Sequence, residues 1–418
     1  MYAPCAMLYA HPVVNRPMSD PLKDKSIVLG VCGGIAAYKA ADLLRILVKA
    51  GARSRVIMTA AAQAFVGSVT FEALSGEPVW TDMFGGQDSA PLRHITWAEE
   101  ADAVVIAPAT ANTIGKMAHG IADDPLTTFV LAVRAPILVC PSMNTNMYEN
   151  AVVQENILRL ERPGVTVLRP ETGLLACGHE GPGRLPDTET IAEEIRTLLC
   201  PSDLAGEHIL VTAGPTHEPV DPVRFISNPS SGKMGHSIAR VARRRGGEVV
   251  LVTGPTALPD PVGVRVIRVN TAQEMFDAVI GAANKATIAI MAAAVSDWRP
   301  ATISQHKIKK EEMAGHLSLE RTTDILKTLG ASKTNQILVG FAAETRDLQQ
   351  NASAKLNEKN LDLVVGNLIG GPDSAFGSDT NQVSLFRRDG SNETLPRMDK
   401  EAVADVLFDR ILALKQKQ

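Results

Sequence analysis

A strand, a glycine turn and an amphipathic helix follow one another twice along this 418-residue chain, and that repeat restricts its fold more than any other feature. In residues 25–59, KSIVLGVCGGIAAYKAADLLRILVKAGARSRVIMT, an apolar run ends in Gly33-Gly34. Ala36, Ala40, Leu43, Leu44 and Leu47 then recur at helical spacing, Gly51 closes the helix, and residues 56–58 open a second strand. Residues 207–216 and 231–255 replay the unit as EHILVTAGPT and SGKMGHSIARVARRRGGEVVLVTGP. Here Met234, Ile238, Val241 and Ala242 form the stripe, and Gly246-Gly247 form the stop. Two further pairs of apolar runs turn polar at their C-terminal ends: residues 101–113 with 286–298, and residues 136–144 with 336–345. Val-, Ile- and Leu-rich strands alternating with helices predict α/β domains, doubly wound and Rossmann-like, with parallel sheets covered on both faces. In such sheets ligands sit beyond the carboxyl ends of the strands, where these polar residues fall.

The stretch LLCPSDLAGEH, residues 198–208, divides the repeats. The expected organisation is an N-terminal extension at 1–24, a first domain at 25–197, a linker at 198–206 and a second domain at 207–418. The opening MYAPCAMLYAHPVVNRPMSD has no basic segment before its apolar residues and is broken by His11, Pro12 and Asn15, so it makes a poor signal peptide. Translation is expected to start at Met1 or Met18.

A net charge of −4 with 21% charged residues gives no overall field for a polyanion, and no apolar run reaches the roughly 18–20 residues that span a bilayer. Neither nucleic acid nor membrane is an expected partner. The five cysteines (Cys5, Cys32, Cys140, Cys177, Cys200) are odd in number, widely spaced and free of CxxC pairs. That argues against a zinc site or disulfide framework and for a reducing, cytoplasmic setting.

Neither glycine turn completes a known phosphate template. Gly30, Gly33 and Gly34 miss the G-x-G-x-x-G offsets. ISNPSSGKMG, residues 226–235, has Ser227 and Met234 where a P-loop needs Gly and Ser or Thr. A phosphate at a helix N-terminus asks for less.

The segments CGGIAAYK, PATANT (108–113), PSMNTNMYEN (141–150) and ACGHEGPGR (176–184), with RHIT around His94, resemble the flavin-containing cysteine decarboxylases, most closely phosphopantothenoylcysteine decarboxylase. The resemblance covers roughly residues 25–195. It implies a flavodoxin-like flavoprotein fold and FMN held by Gly33, Gly34, Ile35, Thr59, Pro108, Ala109, Thr110 and Asn112. Substrate would meet Asn144, Met147 and Arg184. His94 would assist chemistry near the flavin, Asn144 grip the substrate carboxylate, and Cys177 return a proton. A thiol, with an ordinary pKa of about 8.5, suits that last task at neutral pH. Each residue also has a plainer reading: His94 as a surface histidine, Asn144 as a helix cap, Cys177 as a packed thiol. Cys32, Cys140 and Cys200 read as structural. The family often has an acid directly after A-C-G, where this chain has His179 followed by Glu180.

In the second half, TAGPTHEPVDPVRFISNPSSGKMG (212–235), AAAVSDWRP (292–300), KIKK (307–310), GFAAET (340–345) and KLNEKNLDLVVGN (355–367) resemble phosphopantothenate–cysteine ligase over roughly residues 207–412. The order of the halves is that of the bifunctional bacterial enzymes of coenzyme A biosynthesis. The resemblance implies that a carboxylate is joined to CMP from CTP, with Mg²⁺ accompanying the triphosphate, before cysteine attacks. Ala293, Asp297, Lys307, Asp324, Phe341, Lys355 and Lys359 would meet CTP, and Arg224, Asn228, Ser230, Ser231 and Gly232 the substrate. Asn228 would donate to the acyl cytidylate and Lys307 neutralise phosphate charge. QHKIKKEE alone reads as solvated surface. TTDILK (322–327) stands where the family commonly has Asn-Pro-Asp-Ile. Homo-oligomers are also implied, with decarboxylase trimers in a dodecamer and ligase dimers. Two rival readings stand beside this one: a flavin-loaded regulatory partner without activity, disfavoured by His94, Asn144 and Cys177 occurring together, and a nucleotide-binding oxidoreductase, disfavoured by the incomplete glycine fingerprints.

Overall fold

The computed structural model describes residues 20–84, 92–175, 178, 180–309, 316–368 and 377–416. Cys5, Cys177 and His179 lie outside the described residues.

Five parallel strands form the first sheet, in the spatial order Arg53–Met58, Ser26–Val31, Ala103–Ala109, Ile137–Pro141, Val165–Val167. In chain order this is 2-1-3-4-5, the flavodoxin-like arrangement whose direction of winding reverses between the first and third strands. Every residue of Ser26–Val31 is buried because both faces are covered. Ile27, Leu29 and Val31 point one way, onto helices Ala37–Lys49 and Thr188–Leu199. Val28 points the other way, toward Ala111–His119, Pro125–Ala132 and Ala151–Leu160. The expected stripe of the first helix is where the core begins, with Ala40, Leu43, Leu44 and Leu47 buried and Gly51 left-handed just past its end. An antiparallel hairpin, Glu171–Leu174 with Glu180–Arg184, stands apart from this sheet.

The second sheet has eight strands. Arg265–Arg268, Glu248–Thr253, His208–Ala213, Ile288–Met291, Ile337–Glu344 and Leu363–Leu368 run parallel, in the chain order 3-2-1-4-5-6 of a doubly wound Rossmann sheet. Ser384–Arg387 and Asn392–Thr394 extend it antiparallel. Helices Lys233–Arg244 and Lys400–Lys415 cover one face. Helices Ala272–Ala283, Ile325–Ser332 and Leu348–Glu358 cover the other.

Two expected boundaries look different in space. Leu22, assigned to the extension, is fully buried in the first core, a burial that contributes roughly 1.5–3 kcal/mol. Asp20 is joined to Arg196 at 2.9 Å. The stretch read as a linker is docked at both ends, because Leu198 and Leu199 pack on the first core and Leu204 is buried in the second. The units also touch directly. Helix Thr188–Leu199 lies against helix Lys233–Arg244, and Arg244 binds Glu193 across the contact. Among the described residues no helix is long and apolar enough to cross a membrane.

Candidate active sites

A cavity opens at the winding reversal of each sheet. The first, of about 1040 Å³, lies beyond the ends of Ser26–Val31 and Ala103–Ala109. It is lined by Gly33, Gly34, Ile35, Thr59, Thr110, Asn112, Asn144, Met147 and Arg184 from the sequence reading, together with Tyr38, Lys39, Lys116, Asp124, Leu174 and Leu175. Helix Ala37–Lys49 has no side-chain cap, and the backbone N–H groups of residues 33–36 find no acceptor among the described residues. Four donors in one turn at the positive end of a helix make an anion seat. Around it stand large apolar side chains open to the cavity, with Ile35 63% and Leu174 70% exposed. An anion seat beside apolar walls fits a phosphorylated planar ring system such as a flavin mononucleotide.

Asn144 is a helix cap that also faces the cavity. Its Oδ1 accepts from Asn146 N–H at 2.9 Å, capping helix Thr145–Tyr148, while the residue also lines the cavity. The hairpin clasps this turn through Met143 N–H to Gly183 O at 3.0 Å. Only glycine fits at 183: its φ is +139°, and a Cβ would lie 2.2 Å from Met143 O. Asp124 caps helix Pro125–Ala132 and meets Lys116 at 3.1 Å. Burial raises its pKa, but the Thr127 N–H and Lys116 outweigh burial and hold the carboxyl below its ordinary range.

Three expected flavin-side residues are placed elsewhere. Pro108 and Ala109 are buried within their strand, where the Pro108 carbonyl accepts from Cys32 N–H at 3.3 Å and so positions the glycine turn rather than lining the cavity. His94 sits half-buried on helix Arg93–Glu100 and is not part of the cavity wall of its own chain. Cys177, as noted, lies outside the described residues. The thiols read as structural behave accordingly: burial pushes Cys32 and Cys200 up to about 11 and Cys140 higher still, so none is a thiolate at neutral pH.

The second cavity, of about 310 Å³, lies between the ends of His208–Ala213 and Ile288–Met291. It gathers Ser230, Ser231, Gly232, Ala293, Asp297, Asp324, Phe341, Lys355 and Lys359 from the sequence reading. Gly232 begins helix Lys233–Arg244 with φ +74°, and a Cβ there would meet Thr256 at 2.6 Å. The helix has no side-chain cap, and the N–H groups of residues 233–235 have no acceptor within the described chain. This is the turn that fails the P-loop template, and it offers backbone donors all the same. Lys355 donates to Phe341 O at 2.5 Å, and its buried ammonium is pushed down first by burial and then by Lys359. Lys359 pairs with Asp324 at 2.7 Å. Burial opposes the ionisation of Asp324, but Lys359 and the Lys327 N–H win and keep its pKa lowered. The unusual TTDIL segment is part of the wall, with Asp324 capping helix Ile325–Ser332.

Arg224, Asn228 and Lys307 do not line this cavity in their own chain. Asn228 is exposed beside it, with its Nδ2 donating to Ala294 O and Val295 O, both at 3.1 Å. Its donors therefore hold the cavity wall, and the free side-chain atom is the acceptor Oδ1. Lys307 lies on an exposed ribbon tied down by Arg224 Nη2 to Ile308 O at 2.9 Å and by Ile308 N–H to Asp221 at 3.3 Å. The wall also holds residues that the sequence motifs do not mark as sites, Lys233, Asn381 and Lys400 among them. Among the described residues no cluster of three His, Cys, Asp or Glu side chains is arranged to hold a metal ion.

Two doubly wound units, each with an anion-seating glycine turn at its winding reversal, define a fused pair of α/β ligand-binding domains, the first a flavoprotein by sequence family. The family description "Flavoprotein" matches residues 15–200, and "DNA/pantothenate metabolism flavoprotein C-terminal domain" matches residues 204–414. The chain is 45% identical over 399 residues to the coenzyme A biosynthesis bifunctional protein CoaBC of Bacillus subtilis (strain 168), covering 94% of this chain and 98% of that one. It is 44% identical over 405 residues to the protein of the same name from Mycobacterium bovis (strain ATCC BAA-935 / AF2122/97), covering 93% of this chain and 96% of the other. A crystal structure of the C-terminal domain of a coenzyme A biosynthesis bifunctional protein CoaBC superposes with a TM-score of 0.45 at 43% identity, covering 52% of this chain and all of that one. The chain belongs to the coenzyme A biosynthesis bifunctional protein family.

Proposed function

We propose that the second unit ligates cysteine to 4′-phosphopantothenate with CTP, and that the first unit decarboxylates the product to 4′-phosphopantetheine with FMN. The observation that carries this reading is the pairing of an uncapped, N–H-rich helix start with a ligand-sized cavity in both units, on the residues whose sequence motifs resemble those two activities.

In the second unit a carboxylate attacks the α-phosphorus of CTP, pyrophosphate leaves, and the cysteine amine displaces CMP from the acyl cytidylate. Ser230, Ser231, Gly232 and the donors of residues 233–235 receive phosphate oxygens. Phe341, Lys355, Lys359 and Asp324 bound the nucleotide. Asn228 fixes the Ala294–Val295 wall against the reacting acyl group and turns its Oδ1 toward the incoming amine. Mg²⁺ enters on the triphosphate oxygens, which suits a cation that prefers phosphate and water ligands. CTP is the nucleotide preferred here over ATP.

In the first unit the donors of residues 33–36 hold the cofactor phosphate while Ile35, Met147 and Leu174 cover its rings. Bound FMN supplies a reversible two-electron acceptor, so that the substrate thiol becomes a thioaldehyde able to take up the electrons released with CO₂. Asn144 and Arg184 orient the carboxylate, and the hairpin above them keeps water out. Cys177 would protonate the enethiolate left after CO₂ departs, with the two electrons lent to the cofactor returning to give the saturated thiol. His94, Arg224 and Lys307 stand outside the cavities of their own chain, and the proposed trimers and ligase dimers bring them to the cavities of neighbouring copies. The enzyme acts in the cytoplasm.

The test is to incubate the protein with 4′-phosphopantothenate, cysteine and either CTP or ATP and to follow pyrophosphate and CO₂ separately. Release of both with CTP is expected. CO₂ release without pyrophosphate, or a colourless protein that takes up no FMN, overturns the corresponding half.

A further inference from the structure

The ligation chemistry leaves one buried carboxylate unused. Asp221 lies in the turn between strands His217–Pro219 and Phe225–Ser227, and its side chain has no exposure to solvent. A charge so placed is tolerated only where hydrogen bonds answer it, and here its two oxygens are answered by different parts of the chain. Oδ1 accepts from Val223 N–H at 2.8 Å and from Arg224 N–H at 2.9 Å, which shapes the turn that carries Arg224. Oδ2 accepts at 3.3 Å from the N–H of Ile308, a residue 87 positions further along and next to Lys307. Arg224 completes the join, with Nε 3.7 Å from Oδ2 and Nη2 donating to Ile308 O at 2.9 Å. Both backbone polar groups of Ile308 are thereby fastened to the turn. On the other side of Lys307, Ser304 N–H donates to Val220 O at 3.1 Å. The exposed Lys307 ribbon is pinned at both ends to a single turn, with the buried carboxylate at the centre of the join.

We propose that Asp221 is a positioning residue for the ligation, fusing the Arg224 turn and the Lys307 ribbon into one rigid arm that presents both cations at a fixed separation. The assignment rests on the ligation reading given above, in which these two side chains serve the reacting groups. Because turn and ribbon are joined to each other, the arm keeps its shape whichever copy's cavity it serves. A backbone ordered in advance need not be ordered when substrate arrives. The plainer role for Asp221 is a turn cap, an aspartate accepting from the N–H groups two and three residues on. That role uses Oδ1 alone. Oδ2, and its reach to Ile308, point to the ribbon.

Asp221→Asn separates the two tasks. The amide oxygen still accepts from Val223 and Arg224 N–H, while the amide N–H groups then face the Ile308 N–H, donor against donor. Asp221→Ser is the second variant, since a hydroxyl serves the turn but is too short to reach the ribbon. Pyrophosphate and amide formation are followed in the flavin-loaded full-length protein, over a range of CTP, for the wild type, both Asp221 variants, Lys307→Gln and Asp221→Asn combined with Lys307→Gln. A displaced orienting group costs rate rather than affinity, so each Asp221 variant is expected to lose at least tenfold in kcat with KM for CTP within threefold. The combined variant is expected to match Lys307→Gln alone within threefold, because the ribbon then has nothing left to position. Losses that multiply in the combined variant, a rise in KM without a fall in kcat, or full activity of both Asp221 variants overturns the proposal. A wild type that releases no pyrophosphate from CTP overturns the ligation reading instead.

Discussion

Arg244 grips Glu193 through two hydrogen bonds of 2.6 and 2.7 Å, joining the last turn of the helix that starts at the nucleotide cavity to a helix of the flavoprotein unit. Both side chains are nearly buried, and Arg244 also reaches Glu401 at 2.6 Å. Removing Glu193 strips the buried guanidinium of two of its three short carboxylate bonds and leaves Glu401 alone to answer its charge. Glu193→Ala is therefore expected to cost about 3 kcal/mol of stability. Denaturant unfolding with flavin fluorescence and far-UV dichroism read in parallel checks this, and a loss below 1 kcal/mol would show that Glu401 alone satisfies the guanidinium.

Gly183→Ala tests the clasp over the first cavity. The added methyl group meets Met143 O at a backbone angle that L side chains rarely adopt, so the hairpin must lift. The purified variant is expected to carry less than a tenth of the wild-type flavin per chain, with the second unit's nucleotide binding intact. Full flavin occupancy would show that the hairpin is dispensable for holding the ring.

Asn228→Asp places a carboxylate against two carbonyl oxygens that now accept from the amide. The wall at Ala294 and Val295 loses its donors and gains repulsion. Ligation is expected to fall at least a hundredfold in kcat, with CTP affinity changed less than threefold. An unchanged rate in single-turnover amide formation would remove Asn228 from this role.

Glu393 gives a pH signature. Arg410 chiefly, with Arg387, pulls its carboxyl down to about 2 against the opposing effect of burial, with contacts of 2.7–2.8 Å. Because the folded value is below the ordinary 4.5, the stabilisation is complete above about pH 4.5 and fades as pH falls toward 2. Glu393→Gln is expected to flatten the dependence of melting temperature on pH across that window. An unaltered slope in scanning calorimetry from pH 3 to 5 would rule the pair out as its source.

Cys177→Ser tests the proton donor of the first unit. Flavin bleaching on addition of 4′-phosphopantothenoylcysteine should proceed, while release of saturated product falls at least a hundredfold. Normal turnover would remove the thiol from the mechanism.

The strands and their glycine turns were legible because fully buried parallel strands leave continuous apolar runs, and Leu43, Leu44 and Leu47 keep helical period. Those same runs place Gly33, Thr110 and Ala293 just past strand ends, where the cavities open. Distance across the fold was less legible. Arg224 and Lys307 belong to recognisable segments, yet nothing in a contiguous motif says that Arg224 would tie down Ile308 outside its own cavity. Pro108 and Ala109 look like cavity residues from their neighbours in PATANT, but the strand runs through them before it turns. Lys400 and Asn381 carried no local signal at all. One is a lone lysine that opens a helix, the other a lone asparagine in a two-residue strand, and only the pairing of residues 380–381 with 398–399 sets them side by side. Leu204 was hidden for the same reason, as a single leucine in a polar stretch that the second core happens to absorb.

The docking of Leu199 and Leu204 into different cores leaves residues 200–203 to bridge them, a reach of at most about 17 Å. A tether that short forbids the two halves from wandering apart while they work. A protease meets little slack at a joint held this closely on both sides.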